Sequence, residues 1–552
     1  MTDSKDKSLK FRVIALLVIM TVTLYVAVEL NLFISDQYVF YSAVTEQGLP
    51  YFTRKERQLY KNLSDADKHK LKLAQKKAAT LEAASNAVRI TLGLITTLLV
   101  GYLSDRYGRR LAFGILLLGE LLHIGITSLI VLLKLNLWMV LLPGFLEAVL
   151  GGGLLSIFAQ VAAILVDICQ TSTVVDSEKK EDWNKKRSTD KHMWILFTVF
   201  DGIASLSISA GSPIGGALIY RYGFPVAVYT SLALLTPSII LIFCLPETYK
   251  SGEKRINVQD KQPKFNDDDL DEDAHSVSIQ FKKTLKSRIT EGYERIKSLD
   301  PILIMIMSLV LLGSVAALAD LPYVAVYLMG PPFLWSPETI GLYSGVTDVT
   351  AAFISITCTM VIIKLDEKRQ TKIHAEQNST KQKSEKHYTH QMNLLVTVFA
   401  VSMVMLIINR SVVGIAYRFS LPTANLLIYV AAIPRLMKSF CIPIIRTMFS
   451  ICSHPSKQGI IQSIAAFVSR IGLLISLTLL PAIYAATVLT FPGTVFIVVV
   501  IILTITLIID MFVPVLMKKE NAKLKKSELN SHISLKEEQQ LDNCVNICDD
   551  KL

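Results

Sequence analysis

Ionisable side chains occur inside long apolar runs of the sequence, where each one needs a chemical reason to be kept. On insertion scales a charge near the middle of a bilayer costs about 2.5–3.5 kcal/mol. In the first half of the chain these residues are mainly acids, with Arg89 as an exception: Glu29, Glu120, Glu147 and Asp201. In the second half they are mainly bases, with Asp320 and Asp348 as exceptions: Arg435, Lys438, Arg446 and Arg470. A cavity between two such halves would have an acidic wall that can take up a proton and a basic wall that suits a carboxylate.

Four of these residues are predicted to bind a substrate, and each has a structural alternative. Arg435 and Lys438 are three positions apart on one helix face, so together they require either an anion or two acids. Arg470 lies in the middle of its apolar run and either contacts a substrate or pairs with Asp348. Glu147 is either a proton or substrate site or one partner of an interhelical salt bridge.

The apolar runs that position these residues predict an all-α membrane protein. The chain has 552 residues and is 51% hydrophobic. Runs of about 20 apolar residues are long enough to cross a hydrocarbon core of ~30 Å. We predict twelve transmembrane helices in two six-helix bundles: 11–33, 85–104, 112–133, 138–168, 193–219, 224–246, 301–328, 339–364, 392–411, 422–449, 459–485 and 491–516. Glu29 and Arg89 would then lie near the outer ends of the first two helices, where we expect a structural pair.

The distribution of basic residues predicts the orientation of the chain in the membrane. Lysines before the first span and after the last one place both termini in the cytosol. The predicted segments are, in order, a cytosolic N-terminus 1–10, an N-terminal bundle 11–249 with an extracellular loop 34–84, a cytosolic linker 250–299, a C-terminal bundle 300–516 and a cytosolic tail 517–552.

The predicted extracellular loop carries two local signals. Ser64 with Asp67 three residues later is typical of a helix N-terminus, so a polar helix is expected from Asp65 towards the second span. Asn62-Leu63-Ser64 is an acceptor sequence for N-glycosylation. Because it lies well clear of the membrane, we expect Asn62 to carry a glycan.

A short charged turn lies between the second and third spans: Gly101-Tyr-Leu-Ser-Asp105-Arg106-Tyr-Gly108-Arg109-Arg110. It must bend tightly and keep its charges in water on one side of a bilayer. At every fixed position it resembles the loop between helices 2 and 3 of the major facilitator superfamily of transporters. The resemblance implies that these residues, Asp105 and Arg109 above all, help to latch one half to the other while a central cavity faces outward. An acid at a neighbouring helix N-terminus, together with charge pairs, can form such a latch and break as the halves move.

Further stretches resemble solute carrier family 46, the branch of this superfamily that includes the proton-coupled folate transporter. They are Gln37-Tyr38, Ala163-Ile-Leu-Val-Asp167, Ile444-Ile-Arg446-Thr-Met-Phe-Ser450 with Gln458-Gly459, and Ile483-Tyr-Ala-Ala-Thr-Val488 with Phe491-Pro-Gly493.

This resemblance implies roles for particular residues. Asp201 matches an acid in the fifth helix that is tied to proton coupling, and Arg446 matches an arginine near the inner end of the tenth helix that acts in transport or gating. The third helix of each set is peripheral in the superfamily, which implies structural roles for Glu120 and His123. The chain departs from the folate transporter in having neither the cysteines for a disulfide between outer loops nor a histidine in the seventh span.

The composition argues against other classes of function. The net charge is +11, but the basic residues lie in tails and loops, which is typical of a membrane protein and not of a nucleic-acid binder. None of the seven cysteines lies in the long first loop, so no disulfide framework is expected. The sequence contains no nucleophile elbow, phosphate loop or metal-ligand spacing. We therefore predict no enzyme activity, no cofactor and no metal site.

These observations predict a secondary transporter that moves a small organic anion, together with a proton, by alternating access. Its partners would be the substrate, the proton and the lipid bilayer, and its location the plasma membrane or an endolysosomal membrane. A uniporter or a drug exporter of the same fold is an alternative. A membrane receptor or scaffold that transports nothing is another.

Overall fold

The computed structural model describes residues 2–50, 64–151, 153–174, 183–248, 301–319, 323–376, 380–452 and 458–519. Most of these residues are helical, as a membrane-embedded backbone requires, because each of its polar groups must be bonded within the protein. The glycosylation acceptor Asn62, the linker 250–299 and the tail from 520 onward lie outside the described residues.

The described part of the first half forms seven α-helices. They are α1 Thr2–Glu46, α2 Asp65–Tyr107, α3 Arg109–Leu133, α4 Leu141–Val149, α5 Gly153–Val174, α6 Trp183–Tyr222 and α7 Phe224–Cys244. A short 3-10 helix, Leu137–Val140, leads into α4.

The described part of the second half forms nine α-helices. They are α8 Pro301–Leu318, α9 Val324–Met329, α10 Pro337–Glu376, α11 Thr380–Ala416, α12 Leu421–Arg435, α13 Cys441–Cys452, α14 Gln458–Leu474, α15 Leu480–Thr487 and α16 Thr494–Lys519. A 3-10 segment, Leu436–Phe440, joins α12 to α13, and a π-helical segment, Ile475–Leu479, joins α14 to α15.

Eleven helices of the described chain are long and apolar enough to cross a membrane. The predicted fourth span, 138–168, instead contains two shorter apolar helices, Leu137–Val149 and Ser156–Leu165. Between them Gly151 and Gly153 adopt φ values of 125° and 69°, which favour glycine. The number of spans is twelve only if these two short helices are counted together as one span. The chain is an integral, multi-pass membrane protein.

The helices α1 and α2 extend well beyond the predicted ends of the first two spans. The hydroxyl of Ser64 accepts a hydrogen bond from the backbone N–H of Asp67 at 3.1 Å, which confirms the predicted start of α2. The helix predicted from Asp65 is therefore present, and the first part of the segment 34–84, up to Glu46, also belongs to α1. Polar residues in both helices, such as Gln37 and Gln75, are buried.

Glycines let α6 pack closely against both halves of the protein. A Cβ atom on Gly211 would lie 2.7 Å from a side-chain atom of α1, and one on Gly216 would lie 2.5 Å from the carbonyl oxygen of Pro337 in α10. From the opposite side, Gly341 of α10 meets the carbonyl oxygen of Ser212. These contacts make the glycine-rich part of α6 a close-packing point.

A second contact between the halves involves Gln75 near the start of α2. Its side-chain amide donates to the carbonyl oxygen of Val326 at 2.7 Å and lies 3.0 Å from the hydroxyl of Tyr484 in α15. All three residues are buried. Together with the α6–α10 contact, it closes the protein at the face where α1 ends and α2 begins, which is the predicted extracellular face.

The outward-facing sides of the helices carry large apolar residues. Phe11, Phe243 and Met511 are all largely exposed. In a soluble protein such residues would be unfavourable, whereas lipid chains cover them without cost. This surface agrees with a membrane-embedded bundle.

A charged cavity between the two halves

A cavity of about 210 Å³ lies between the two halves of the protein. Its charged and titratable lining comes from both sides: Glu29, Asp36, Glu82, Arg89 and His123 from the first half, and Asp348 and Arg435 from the second. The described cavity is smaller than the roughly 300–1,000 Å³ typical of ligand pockets. In this closed arrangement it fits only a small solute.

Two helix interruptions border the cavity. Arg435 follows Pro434, which lacks a backbone N–H, and the chain continues from Arg435 as the 3-10 segment. Leu477, another lining residue, lies in the π-helical segment between α14 and α15. Interrupted helices near mid-membrane are typical of substrate sites in transporters, and π-helical segments often occur at functional sites.

The wall contributed by the second half is basic. Asp348 lies between two bases, with its Oδ1 atom 3.4 Å from Arg435 Nη2 and 2.6 Å from Lys438 Nζ. The Arg435 guanidinium also donates to the hydroxyl of Thr347 and lies 5.4 Å from the ring centre of Tyr343. Arg435 and Lys438 thus share one acid, Asp348. The sequence predicted that these two bases would bind either an anion or two acids. Lys438 lies behind Arg435, outside the lining of the cavity.

A second arginine, Arg410, lies near this wall. It is 2% exposed and lines a small cavity of about 10 Å³ together with Arg435 and Asn409. That volume is close to the room needed for one water molecule, about 10–15 Å³. The sequence analysis did not include Arg410 among the candidate functional residues. A charged residue inside the ninth predicted span was the signal that should have singled out Arg410.

The wall contributed by the first half is mainly acidic. Glu29 accepts a hydrogen bond from the hydroxyl of Ser212 at 3.0 Å, and Arg89 donates to Asn86 at 3.0 Å. The predicted Glu29–Arg89 pair is therefore wrong. Two further lining acids, Asp36 and Glu82, were missed. Asp36 lies in the extension of α1, and Glu82 lies in the polar helix predicted from Asp65.

Glu147 lies behind this wall in a buried charge cluster. Its Oε2 atom is 2.5 Å from Nδ1 of His123 and 3.9 Å from Nη1 of Arg89. These contacts match the salt-bridge alternative for Glu147, and the residue lies outside the cavity lining. His123 does line the cavity, and its implied structural role stays a prediction.

One group of described residues has donor atoms close enough together for a metal ion. One ligand atom from each of Glu120, His123 and Glu147 lies within 4.8 Å of the others. Two ligands of one zinc ion, each about 2.0–2.2 Å from it in a tetrahedral site, lie roughly 3.4 Å apart. His123 Nδ1 and Glu147 Oε2 lie 2.5 Å apart, which is shorter than the separation of two ligands of one zinc ion.

Arg470 bridges the two halves. Its guanidinium donates to the hydroxyl of Thr97 in α2 at 2.5 Å. The predicted alternative, a pair with Asp348, is wrong because Asp348 binds Arg435 and Lys438. Arg470 lies outside the cavity lining, so its predicted contact with a substrate stays a prediction.

The charged turn 101–110 joins α2 to α3 through Gly108. Gly108 has φ 113°, and a Cβ atom there would lie 2.5 Å from a carboxylate oxygen of Glu247. That carboxylate accepts the backbone N–H groups of Arg109 at 2.8 Å and Arg110 at 3.1 Å, at the N-terminus of α3. An anion there interacts favourably with the helix dipole. In contrast, Gly101 lies inside α2 with open space around it.

The arginines of this turn bind to neighbouring helices of the same half. Arg109 Nε is 3.0 Å from Asp167 of α5, and Arg110 donates to the carbonyl oxygen of Phe243 in α7 at 2.9 Å. Arg106 donates to the hydroxyl of Tyr102 at 2.8 Å. The acid found at the N-terminus of α3 is thus Glu247, which sequence reasoning did not single out.

Three predicted functional residues lie in helices whose backbone is described while their side chains are not. They are Asp105 in α2, Asp201 in α6 and Arg446 in α13. Their predicted roles in gating and proton coupling stay predictions.

Comparison with proteins of known structure identifies the fold. No protein-family model and no curated protein sequence matches the chain. Solved structures do match over nearly the whole length. The peptide transporter POT in complex with alafosfalin is 12% identical, with a TM-score of 0.53, and the match covers 92% of this chain and 99% of that one. The POT family transporter PepTSo is 11% identical, with a TM-score of 0.51 and coverage of 93% and 98%.

The human organic anion transporter MFSD10 (TETRAN) is 12% identical, with a TM-score of 0.50, and the match covers 91% of this chain and 99% of that one. The chain has the major facilitator fold. At these identities the likeness concerns the fold alone. The major facilitator fold places the cavity at the junction of its two helical bundles, and the resemblance to solute carrier family 46 rests on the sequence motifs.

Proposed function

We propose that this protein is a secondary transporter that carries a small organic anion together with a proton by alternating access. The observation that supports this most directly is the cavity, whose charged walls come from opposite halves of a major facilitator fold. The matched structures are named as transporters of peptides and organic anions. Two bundles that rock about such a cavity would expose it to each side of the membrane in turn.

The basic wall is the proposed site for the anionic group of the substrate. Arg435 reaches the cavity, and Lys438 and Arg410 add positive charge behind it. A planar guanidinium can bind a carboxylate through two parallel hydrogen bonds. An anion arriving at Arg435 would meet the positive charge of this wall.

The acidic wall is the proposed partner for the proton. Glu29, Asp36 and Glu82 share one cavity with a single lining arginine of the first half, Arg89. Several carboxylates in such a confined site cannot all be ionised at once, so the site favours proton uptake. A proton on this wall would reduce its repulsion of an anionic substrate and permit closure.

The residues predicted from the sequence complete the proposal. Asp201 and Glu147 would couple the proton to transport. The turn 101–110 and Arg446 would hold the halves together at the predicted cytosolic face, and Arg109 and Arg110 fix the turn to α5 and α7 of its own half. An Asp201→Asn variant should lose uptake driven by a pH gradient and keep exchange of substrate for substrate.

Uptake by purified protein in proteoliposomes tests the proposal. Radiolabelled folate, succinate and a dipeptide would each be offered under an inwardly directed proton gradient. We expect accumulation of at least one anion that collapses when a protonophore is added. Equilibration without accumulation would identify a uniporter. Binding with no flux for any compound would contradict transport and favour a receptor.

A further inference from the structure

Glu120 is a buried acid that the proposed transport site does not use. It lies on α3, is 1% exposed, and neither of its carboxylate oxygens has a hydrogen-bond partner among the described residues. An ionised carboxylate in such a position has lost its water without gaining a partner, which costs several kcal/mol. Some other species must therefore balance Glu120.

Three charged or titratable groups among the described residues lie near Glu120. His123 lies on the same helix, Glu147 on α4, and Arg89 on α2 close to Glu147. On the other helices packed against α3, Asp36 of α1 and Glu82 of α2 line the cavity, and two further acids have partners elsewhere. Glu29 of α1 binds Ser212, and Asp167 of α5 binds Arg109.

A count of charge shows which species balances this cluster. Two ionised carboxylates, Arg89 and a neutral His123 sum to one negative charge in a buried site. A proton on Glu120 brings the sum to zero, whereas a divalent cation would bring it to one positive charge. His123 Nδ1 and Glu147 Oε2 lie 2.5 Å apart. The charge count favours a proton over a metal ion.

We propose that Glu120, with Glu147 and His123, forms a proton-binding site of the transport cycle that lies behind the wall of the cavity. His123 lines the cavity, while Glu120 and Glu147 do not. The imidazole can take a proton from cavity water on Nε2 and release the Nδ1 proton to Glu147. The site can therefore gain or lose a proton without exposing either carboxylate.

The position of Glu147 shows how the proton would act on the cavity. A proton on Glu147 removes the charge that holds Arg89, whose Nη1 atom is 3.9 Å away. Arg89 lines the cavity, so its guanidinium becomes available to the acids of that wall or to an anionic substrate. The carboxylate of Glu147 also lies near the interruption of the fourth span. There it occupies the space that a side chain on Gly153 would fill.

The role in transport rests on the proposed function, but the site itself can be tested without any substrate. Infrared spectra of the full-length protein in nanodiscs, recorded across a pH titration, report the carbonyl band of protonated carboxylic acids. In Glu120→Gln we expect the intensity of this band to fall by the contribution of one acid. In Glu120→Asp we expect the position of the band to shift. Glu338→Gln, an acid paired with Arg221 at the surface, serves as the matched control and should leave the band unchanged.

Two results would overturn the inference. An unchanged band in Glu120→Gln, in protein that melts like the wild type, would mean that Glu120 holds no proton. Metal analysis that finds one zinc or manganese per chain, lost in Glu120→Gln, would replace the proton by a metal ion. A protonated Glu120 in a protein that moves no solute would support the site and contradict the proposed function.

Discussion

Replacement of Arg435 by methionine removes a guanidinium from the basic wall and keeps a side chain of similar length. The variant should fold, because Asp348 keeps Lys438 as a partner at 2.6 Å and is not left as an unpaired buried charge. Within the protein, the substitution removes the interactions of the guanidinium with Thr347, Asp348 and the ring of Tyr343.

The size of the effect follows from the hydrogen bond that an anion would no longer make. A hydrogen bond to a charged group contributes about 1.5–3 kcal/mol, and 1.4 kcal/mol corresponds to a tenfold change. We expect the KM for the transported anion to rise about 10- to 150-fold. The maximal rate should change less, because Arg435 binds the substrate and is not needed for the halves to move.

The assay is initial-rate uptake in proteoliposomes over a range of anion concentrations. Arg418→Met is the matched control, since Arg418 is exposed and stacks on Phe491 away from the cavity. Its KM should equal that of the wild type. If Arg435→Met also transports with an unchanged KM, the basic wall does not bind the anion and the argument from its geometry fails.

Three other changes test separate parts of the structure. Asp348→Asn leaves both neighbouring bases without their acid, so anion affinity should rise while thermal stability in detergent falls; weaker anion binding would refute this interpretation. Gly108→Ala places a Cβ at positive φ against a carboxylate and should cost about 1–2 kcal/mol, whereas Gly101→Ala has open space and should not lower the melting temperature. Gly341→Ala should hinder closure at the α6–α10 contact and slow uptake, whereas Gly114→Ala, with nothing near its Cβ, should transport normally.

The features that the sequence predicted well are those set by local pattern. The length of the apolar runs indicated the membrane helices, and Ser64 with Asp67 marked the start of α2. Each of these properties depends on neighbours along the chain, so a single sequence contains the information.

The predicted ends of helices failed where polar residues face protein instead of water. The extension of α1 carries Asp36, which hydropathy assigns to a loop, and the polar helix predicted from Asp65 carries Gln75 and Glu82. In the fold they line the cavity or join the halves. Hydropathy reports the average environment of a segment and does not distinguish a polar residue in water from one in a buried cavity.

The pairing of charges could not be read from the sequence either. Asp348 was expected to compete for Arg470, and Glu29 for Arg89, because each pair lies at similar depth. The rotation of each helix decides which side chains meet, and it brings Asp348 to Arg435 and Lys438. Such rotations depend on packing between helices that are distant in the chain, as at Gly211 and Gly341.

The accessibility of the cavity from each side of the membrane tests the account most directly. A single cysteine at Ser344, a lining residue of α10, would be introduced after the seven native cysteines are replaced. A membrane-impermeant thiol reagent would then be applied to oriented vesicles from one face at a time, with and without a proton gradient. We predict labelling from both faces, with the gradient shifting the balance between them. Labelling from one face under every condition, or from neither, would contradict alternating access.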